Sequence, residues 1–334
     1  MIKYCSGCGI KLQTQSEEED GYTVNINNDL CKRCFRLKHY GEYELTTKSQ
    51  EEFRTITKEI GKKRSLVLYV VDILSIPQNI IEIKKDLVNN DVILVLNKKD
   101  VLPSSVTDSK ILEYFNTIGE EVFIDKIVIS ASKGYNIGTL AKLIKDYRKY
   151  KEVFIVGSTN AGKSTLINEL IDYYKVDENE ITISNMPNTT LEEIKIPVKN
   201  FYLVDTPGLV DERNILNRLD DTAIKKLVSK KAIKPKTYQI KKGQAILVED
   251  FLRIDYKEGE RNSFTVFMSN NLNIRRINGK RHNNLKELGV NEIELGYHED
   301  IVINGLGFVK TILAGKVDVY VDKDVEVFKR KSLI

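Results

Sequence analysis

The sequence has little that would place the protein in a membrane or on an export route. It contains no run of about 18 apolar residues, so no transmembrane helix and no membrane partner are expected. Its first residues, Met1 to Cys5, lack the apolar stretch of a signal peptide, so we predict a cytoplasmic protein. It also lacks repeats and low-complexity tracts. Its 334 residues, 41% of them hydrophobic and 30% charged, are typical of a globular protein of two or three domains.

The sequence also lacks a strong charge excess. A net charge of +4 does not by itself indicate a nucleic-acid partner, and no DNA partner is expected. Basic residues nevertheless form two clusters that could contact RNA phosphates or could be ordinary solvated surface. They are Lys32, Arg33, Arg36 and Lys38 in the first cluster, and Arg275, Arg276, Lys280 and Arg281 in the second.

Cysteine is absent after residue 34. The four cysteines form two C-x-x-C pairs, Cys5 with Cys8 and Cys31 with Cys34. Four thiolates fill the tetrahedral coordination of Zn²⁺, and disulfides do not persist in a reducing cytosol. The pattern predicts a structural zinc site in residues 1–45, a segment with few large apolar residues to form a core. Redox-active pairs or incidental thiols are the alternatives.

Five apolar runs alternate with helical patterns between residues 65 and 205. The runs are 65–72, 91–97, 126–130, 152–157 and 201–205, and the clearest helical patterns cover 137–150 and 163–174. Continuous apolar runs are typical of strands buried on both faces of a parallel sheet. We therefore predict an α/β doubly wound domain over residues 46–215. After a helical pattern at 213–231, short strand-like runs indicate a smaller α+β or mostly β domain over 216–334.

One loop between a predicted strand and a predicted helix has the phosphate-binding pattern G-x4-G-K-[ST]. It consists of Gly157, four residues that include Asn160, and then Gly162, Lys163 and Ser164. The glycines let backbone amides approach phosphates, and the helix N-terminus adds positive potential. We predict that Lys163 binds the β- and γ-phosphates, that Ser164 ligates Mg²⁺, and that Thr165 also contacts the nucleotide.

Two further segments fit the metal and the γ-phosphate. Asp205 ends an apolar strand and begins the motif D-T-P-G, in which Gly208 can donate its N–H to the γ-phosphate. Between Ser164 and Asp205 lie Thr189 and Thr190. We expect Thr190 to close on Mg²⁺, with Thr189 as the alternative.

A third pair of segments fits the guanine base. Asn97, Lys98 and Asp100 form the motif N-K-x-D after one strand, and Ser130, Ala131 and Ser132 follow another. The Asp100 carboxylate can accept hydrogen bonds from guanine N1–H and the exocyclic amine, donors that adenine lacks. Lys98 can lie along the base, Asn97 can brace the phosphate loop, and the Ala131 amide can meet guanine O6.

These base-binding motifs precede the phosphate loop, whereas GTPases ordinarily have the reverse order. Joining the ordinary termini and cutting after the D-x-x-G motif preserves the site and gives this order. The site therefore predicts binding and hydrolysis of GTP. A plain nucleotide-binding module or an ATPase is the alternative, which nucleotide preference would distinguish.

The motif order, the four cysteines and the segment 300–307 (D-I-V-I-N-G-L-G) resemble the YqeH family of circularly permuted GTPases over essentially the whole chain. The resemblance implies a treble-clef zinc finger, a C-terminal β domain that binds RNA, and a role in assembly of the small ribosomal subunit. The sequence departs from the family at Asn188, where a glycine is usual. Another permuted family, RsgA, carries its zinc site after the GTPase domain, so the architecture here disagrees with it. A redox enzyme is disfavoured because nothing indicates haem, flavin or NADPH binding.

Two residues at the site predict slow turnover. Leu209 follows Gly208, and no nearby glutamine could orient the attacking water. Asn160 matches the phosphate-loop asparagine that supports a bound K⁺ in similar enzymes. We therefore expect slow, K⁺-stimulated hydrolysis.

Overall fold

The computed structural model describes most of the chain. The described residues are 3, 11–17, 21–32, 47–48, 50–116, 122–176, 182–185, 192–209, 211–219, 221–229, 231–279 and 288–334. The chain divides into two compact units. The first consists of Met1–Asp72, Ile81–Lys98 and Glu121–Asp211, and the second of Ile73–Ile80, Lys99–Glu120 and Glu212–Ile334. The division falls between Lys98 and Lys99, inside the N-K-x-D motif.

A mainly parallel sheet forms the centre of the first unit. In the described part of the chain it has the strand order β4-β3-β2-β5-β8-β7-β6, in which β4, β3, β2, β5 and β8 run parallel and β7 and β6 are antiparallel. The strands are β2 (Leu66–Asp72), β3 (Asp91–Asn97), β4 (Asp125–Val128), β5 (Glu152–Gly157), β6 (Thr182–Asn185), β7 (Glu192–Val198) and β8 (Phe201–Asp205). The predicted parallel α/β sheet is confirmed.

Helices cover this sheet, which explains the uninterrupted apolar runs of its strands. The helices that the structure describes in the first unit are α1 (Gln50–Gly61), α2 (Ile83–Asp86), α4 (Ile137–Tyr147) and α5 (Lys163–Tyr174). Leu140 and Ile144 of α4 and Leu166 and Leu170 of α5 share one core with the sheet. A short parallel pair, β1 (Thr47–Lys48) with β9 (Gly208–Leu209), lies in the same unit.

Among the described residues of the second unit, two five-stranded antiparallel sheets form the largest part. Their orders are β10-β13-β17-β16-β19 and β14-β11-β12-β18-β15. Side chains of both sheets share one hydrophobic core, for example Phe264 and Ile301 of the first sheet with Ile254 and Val319 of the second. The strands are β10 (Lys236–Ile240), β11 (Gln244–Val248), β12 (Leu252–Gly259), β13 (Asn262–Phe267), β14 (Ile274–Asn278), β15 (Gly289–Leu295), β16 (Glu299–Ile303), β17 (Gly307–Thr311), β18 (Gly315–Val321) and β19 (Val327–Lys331).

In the part of the second unit that the structure describes, two further helices are present, α3 (Asp108–Asn116) and α6 (Asp221–Leu227). The helix expected over 213–231 is therefore much shorter. A 3-10 turn covers Ile215–Arg218, and the following Leu219 is extended, with φ −118° and ψ 154°. This turn makes a tertiary contact, a hydrogen bond of 3.0 Å from the Ile215 N–H to the Asn304 carbonyl. Among the described residues, no helix is long and apolar enough to cross a membrane.

Candidate nucleotide-binding site

The phosphate loop connects the end of β5 to the start of α5, as its pattern predicts. Gly162 has φ +88°, a conformation that favours glycine. A Cβ on Gly162 would lie 2.3 Å from Nδ2 of Asn97, and a Cβ on Gly157 would lie 2.3 Å from the Val70 carbonyl oxygen. Both glycines are therefore required by close packing at the carboxyl edge of the sheet.

Lys163 is buried at the first position of α5. Its exposed fraction is 1%, and its Nζ donates to the Gly157 carbonyl at 2.7 Å. Burial lowers the pKa of Lys163 to about 8, against the opposing effect of the Asp205 carboxylate. A phosphate oxygen that accepts a hydrogen bond from Nζ would compensate for the hydration that burial removes. The buried ammonium group therefore favours an anion beside it.

The D-T-P-G segment lies against the same lysine. Asp205 ends β8 and is buried, and the hydroxyl of Thr206 donates to the Ile155 carbonyl at 2.8 Å. A Cβ on Gly208 would lie 3.0 Å from Nζ of Lys163. Gly208 is therefore a position where a larger residue would crowd the ammonium group of Lys163. Its pairing with Thr47 also ties this segment to the strand β1.

Asn97 links three parts of the site. Its Nδ2 donates to the Ala161 carbonyl of the phosphate loop at 2.9 Å, and its Oδ1 accepts from the Ala131 N–H at 3.0 Å. This is the bracing contact that the sequence predicts for Asn97. The Ala131 N–H is thus used within the protein, and the predicted contact with guanine O6 requires that this donor be shared or released.

Lys98 and Asp100 complete the N-K-x-D motif. Lys98 has φ +70°, and its Nζ forms an ion pair of 2.7 Å with Asp72 at the end of β2. Asp72 is a site residue that the sequence analysis missed, although a carboxylate at the end of an apolar strand was its signal. Asp100 is half-buried in the 3-10 turn Lys99–Val101, which belongs to the second unit.

The structure describes some of the remaining predicted site residues and leaves others outside the described ranges. Ser130 is buried, Ser132 is exposed, and their hydroxyl oxygens lie 3.3 Å apart. Ser164 is half-buried and Thr165 exposed in the first turn of α5. Outside the described residues lie Thr189, Thr190, Asn188, Cys5, Cys8, Cys34, Arg33, Arg36, Lys38, Lys280 and Arg281.

The predicted zinc ligands can be followed only at Cys31, which is buried with an exposed fraction of 2%. Its neighbour Lys32 forms an ion pair with Glu17. Over the described ranges, which include one of the four cysteines, no group of three or more His, Cys, Asp or Glu side chains could hold a metal ion. The zinc site stays a prediction.

A buried lysine at a phosphate loop, a strand-end D-x-x-G and an N-K-x-D braced to the loop by Asn97 define a GTPase. Mg²⁺ is the metal that this class uses. The half-buried hydroxyl of Ser164 and the buried carboxylate of Asp205 are the hard oxygen donors that Mg²⁺ prefers. The motif order in the chain is permuted, since the base motif at 97–100 precedes the phosphate loop at 157–164.

Comparison with known proteins agrees with this class. A family model described as a 50S ribosome-binding GTPase matches residues 152–259. The uncharacterised protein YqeH of Bacillus subtilis is 34% identical, over 99% of each chain. This chain belongs to the YqeH family, and it is a GTPase.

More distant relatives match only part of the chain. The mouse nitric oxide-associated protein 1 is 27% identical over 59% of this chain and 37% of its own length. GTPase Der of Mycoplasma pneumoniae is 31% identical over 43% of this chain and 34% of its own length.

Proposed function

We propose that this GTPase is a nucleotide-dependent switch in assembly of the small ribosomal subunit, acting through RNA contacts. The proposal depends on membership of the YqeH family, whose Bacillus subtilis protein is 34% identical over 99% of this chain. The observation that supports a switch is the position of Gly208 beside Lys163. Loss of a γ-phosphate at this point would remove a contact from the segment that continues into residues 212–334.

Different residues of the site would bind the phosphates, the guanine base and the metal ion. Lys163 and the amides of the phosphate loop would hold the β- and γ-phosphates, and Gly208 would donate its N–H to the γ-phosphate. Asp100 would select guanine, because a desolvated carboxylate left without donors costs several kcal/mol against adenine. Ser164, Asp205 and Thr190 would hold Mg²⁺, which neutralises charge on the phosphates.

We expect slow turnover because of the residue that follows Gly208. Leu209 follows Gly208 and has no group that orients water. Asn160 is exposed in the phosphate loop and has a left-handed backbone conformation, with φ +61°. We infer that Asn160 supports a K⁺ ion that supplies positive charge there.

The zinc site would form the N-terminal finger from Cys5, Cys8, Cys31 and Cys34. The burial of Cys31 supports a ligand role, because a thiolate that binds zinc is shielded from water. Metal analysis of the purified protein should find about one zinc per chain. Cys31→Ser should lower that content. A full complement of zinc in Cys31→Ser would contradict the assignment.

RNA contacts are supported by one edge of the β-sandwich, which consists of the two antiparallel sheets of the second unit and their shared core. Arg275 and Arg276 are exposed on β14, an edge strand of its sheet. Lys241 and Lys242 are exposed just before β11, the strand that pairs with β14. Such a row of cations can contact successive phosphates, and binding should then weaken steeply with salt.

The deciding experiment is co-sedimentation of the purified protein with separated ribosomal subunits. We expect binding to the small subunit with a non-hydrolysable GTP analogue and release with GDP. The description of the matched family model names the 50S particle, so the large subunit is the essential comparison. Binding to the large subunit alone, or to neither subunit with either nucleotide, would overturn the assembly role and favour another RNA or protein target.

A further inference from the structure

The turn that carries Asp100 is held by the β-sandwich unit. Val101 and Leu102, which follow Asp100, are buried with exposed fractions of 3% and 2%. The Val101 carbonyl accepts a hydrogen bond of 2.9 Å from the N–H of Ile233, which is also buried. The backbone next to Asp100 is therefore fixed by a residue more than 130 positions later in the chain.

Asn270 holds the segment that provides this hydrogen bond. Its Nδ2 donates to the Ala232 carbonyl at 2.9 Å, and its Oδ1 accepts from the Lys234 N–H at 2.8 Å. These two bonds fix the backbone on both sides of Ile233. An amide side chain carries a donor and an acceptor on two neighbouring atoms, as this arrangement requires. Asn270 itself is exposed in the turn between β13 and β14, so its role is not core packing.

A second anchor holds the chain downstream of Asp100 against the same sandwich. The guanidinium of Arg330, on β19, lies 5.8 Å from the ring centre of Tyr114 on α3 and 4.9 Å from that of Phe308 on β17. Arg330 is almost fully buried, so these ring faces are a large part of its surroundings. The segment from Lys99 to Asn116 is thus attached at both of its ends.

We propose that Asn270 is a positioning residue for Asp100 and thereby determines how strongly the enzyme prefers guanine. The inference rests on the proposed role of Asp100 in binding the base. A carboxylate that accepts two hydrogen bonds from one base edge tolerates little displacement, since hydrogen bonds weaken steeply with distance and angle. Without Asn270, the Ile233 N–H is no longer fixed, and the turn at Asp100 gains freedom.

The test compares binding of GDP and inosine diphosphate (IDP) by the full-length chain. IDP lacks the exocyclic amine of guanine, so the ratio of the two dissociation constants reports the Asp100 contact. Asn270→Ala should weaken GDP binding about 3- to 10-fold and IDP binding less, as expected for partial loss of one or two hydrogen bonds. Asn270→Asp keeps the hydrogen-bond acceptor, so its dissociation constant for GDP should lie between those of the wild type and Asn270→Ala. Asn271→Ala, a change of the neighbouring exposed asparagine, is the matched control and should leave both constants unchanged.

A double mutant separates positioning from general damage. In an Asp100→Ala background, Asn270→Ala should have no further effect on the GDP constant, because the group it positions is gone. An unchanged GDP-to-IDP ratio in Asn270→Ala, or an equal loss in both backgrounds, would overturn the inference. If Asp100→Ala itself kept the full preference for GDP, the assignment of Asp100 would fail instead.

Discussion

Nucleotide binding should take up a proton at Lys163. In the free protein this side chain has an exposed fraction of 1%, and burial lowers its pKa to about 8. Phosphate oxygens beside Nζ favour the ammonium form and should raise this pKa in the complex. Near pH 8, part of the protein must therefore gain a proton before or as it binds GDP.

The size of the effect follows from the pKa of about 8. About one tenth of the lysines are neutral at pH 7, about half at pH 8 and about three quarters at pH 8.5. Binding at pH 8 should then take up about 0.5 proton. The dissociation constant for GDP should rise about fourfold between pH 7 and pH 8.5, since only the protonated form binds well.

Isothermal titration calorimetry in buffers of different ionisation enthalpy measures this uptake directly. Lys163→Arg is the control, because a guanidinium stays charged throughout this range and should show no uptake. Staying at or below pH 8.5 limits the contribution of ionisation at the guanine itself. A wild-type protein that binds GDP with no proton uptake anywhere between pH 7 and pH 8.5 would refute the reasoning.

Three further changes test the site. Asp100→Asn should weaken GTP binding by about 100-fold and favour xanthine nucleotides, as competition assays would show; retained GTP preference would count against Asp100. Lys163→Met should raise the free energy of unfolding of the nucleotide-free protein at pH 7 by about 2 kcal/mol. Removing the buried charge should stabilise the protein by about 3 kcal/mol, and losing the hydrogen bond of Lys163 should cost about 1 kcal/mol. Because the pKa of Lys163 is lower in the folded than in the unfolded state, burying its charge destabilises the protein fully below pH 8, and this effect disappears as the pH rises toward 10.5. A stability gain of Lys163→Met that does not change with pH, measured by urea unfolding, would contradict this. Wild-type GTP hydrolysis should be several-fold faster in K⁺ than in Na⁺ and Asn160→Ala should abolish the difference; equal rates in the wild type would exclude the role of Asn160.

Local pattern was enough to locate most of the parallel sheet. β2, β3, β5 and β8 were predictable because a strand buried on both faces needs an uninterrupted apolar run. The phosphate loop was predictable because close packing at Gly157 and Gly162 excludes a side chain. The helix over 213–231 was predicted wrongly, since the contact of Ile215 with Asn304 overrides local helical preference.

The residues expected to bind phosphate and guanine could be predicted from the amino-acid sequence, because those requirements are steric and chemical at single positions. How these residues are held could not be predicted, because it depends on contacts between distant segments. Lys163 has a lowered pKa because other strands exclude water around it, and Asn97 joins the phosphate loop to Ala131 across 34 and 64 positions of the chain. The attachment of the Asp100 turn through Ile233 and Asn270 is likewise a contact between distant segments. Local periodicity reports burial and secondary structure, but it carries no record of which distant backbone group completes a hydrogen bond.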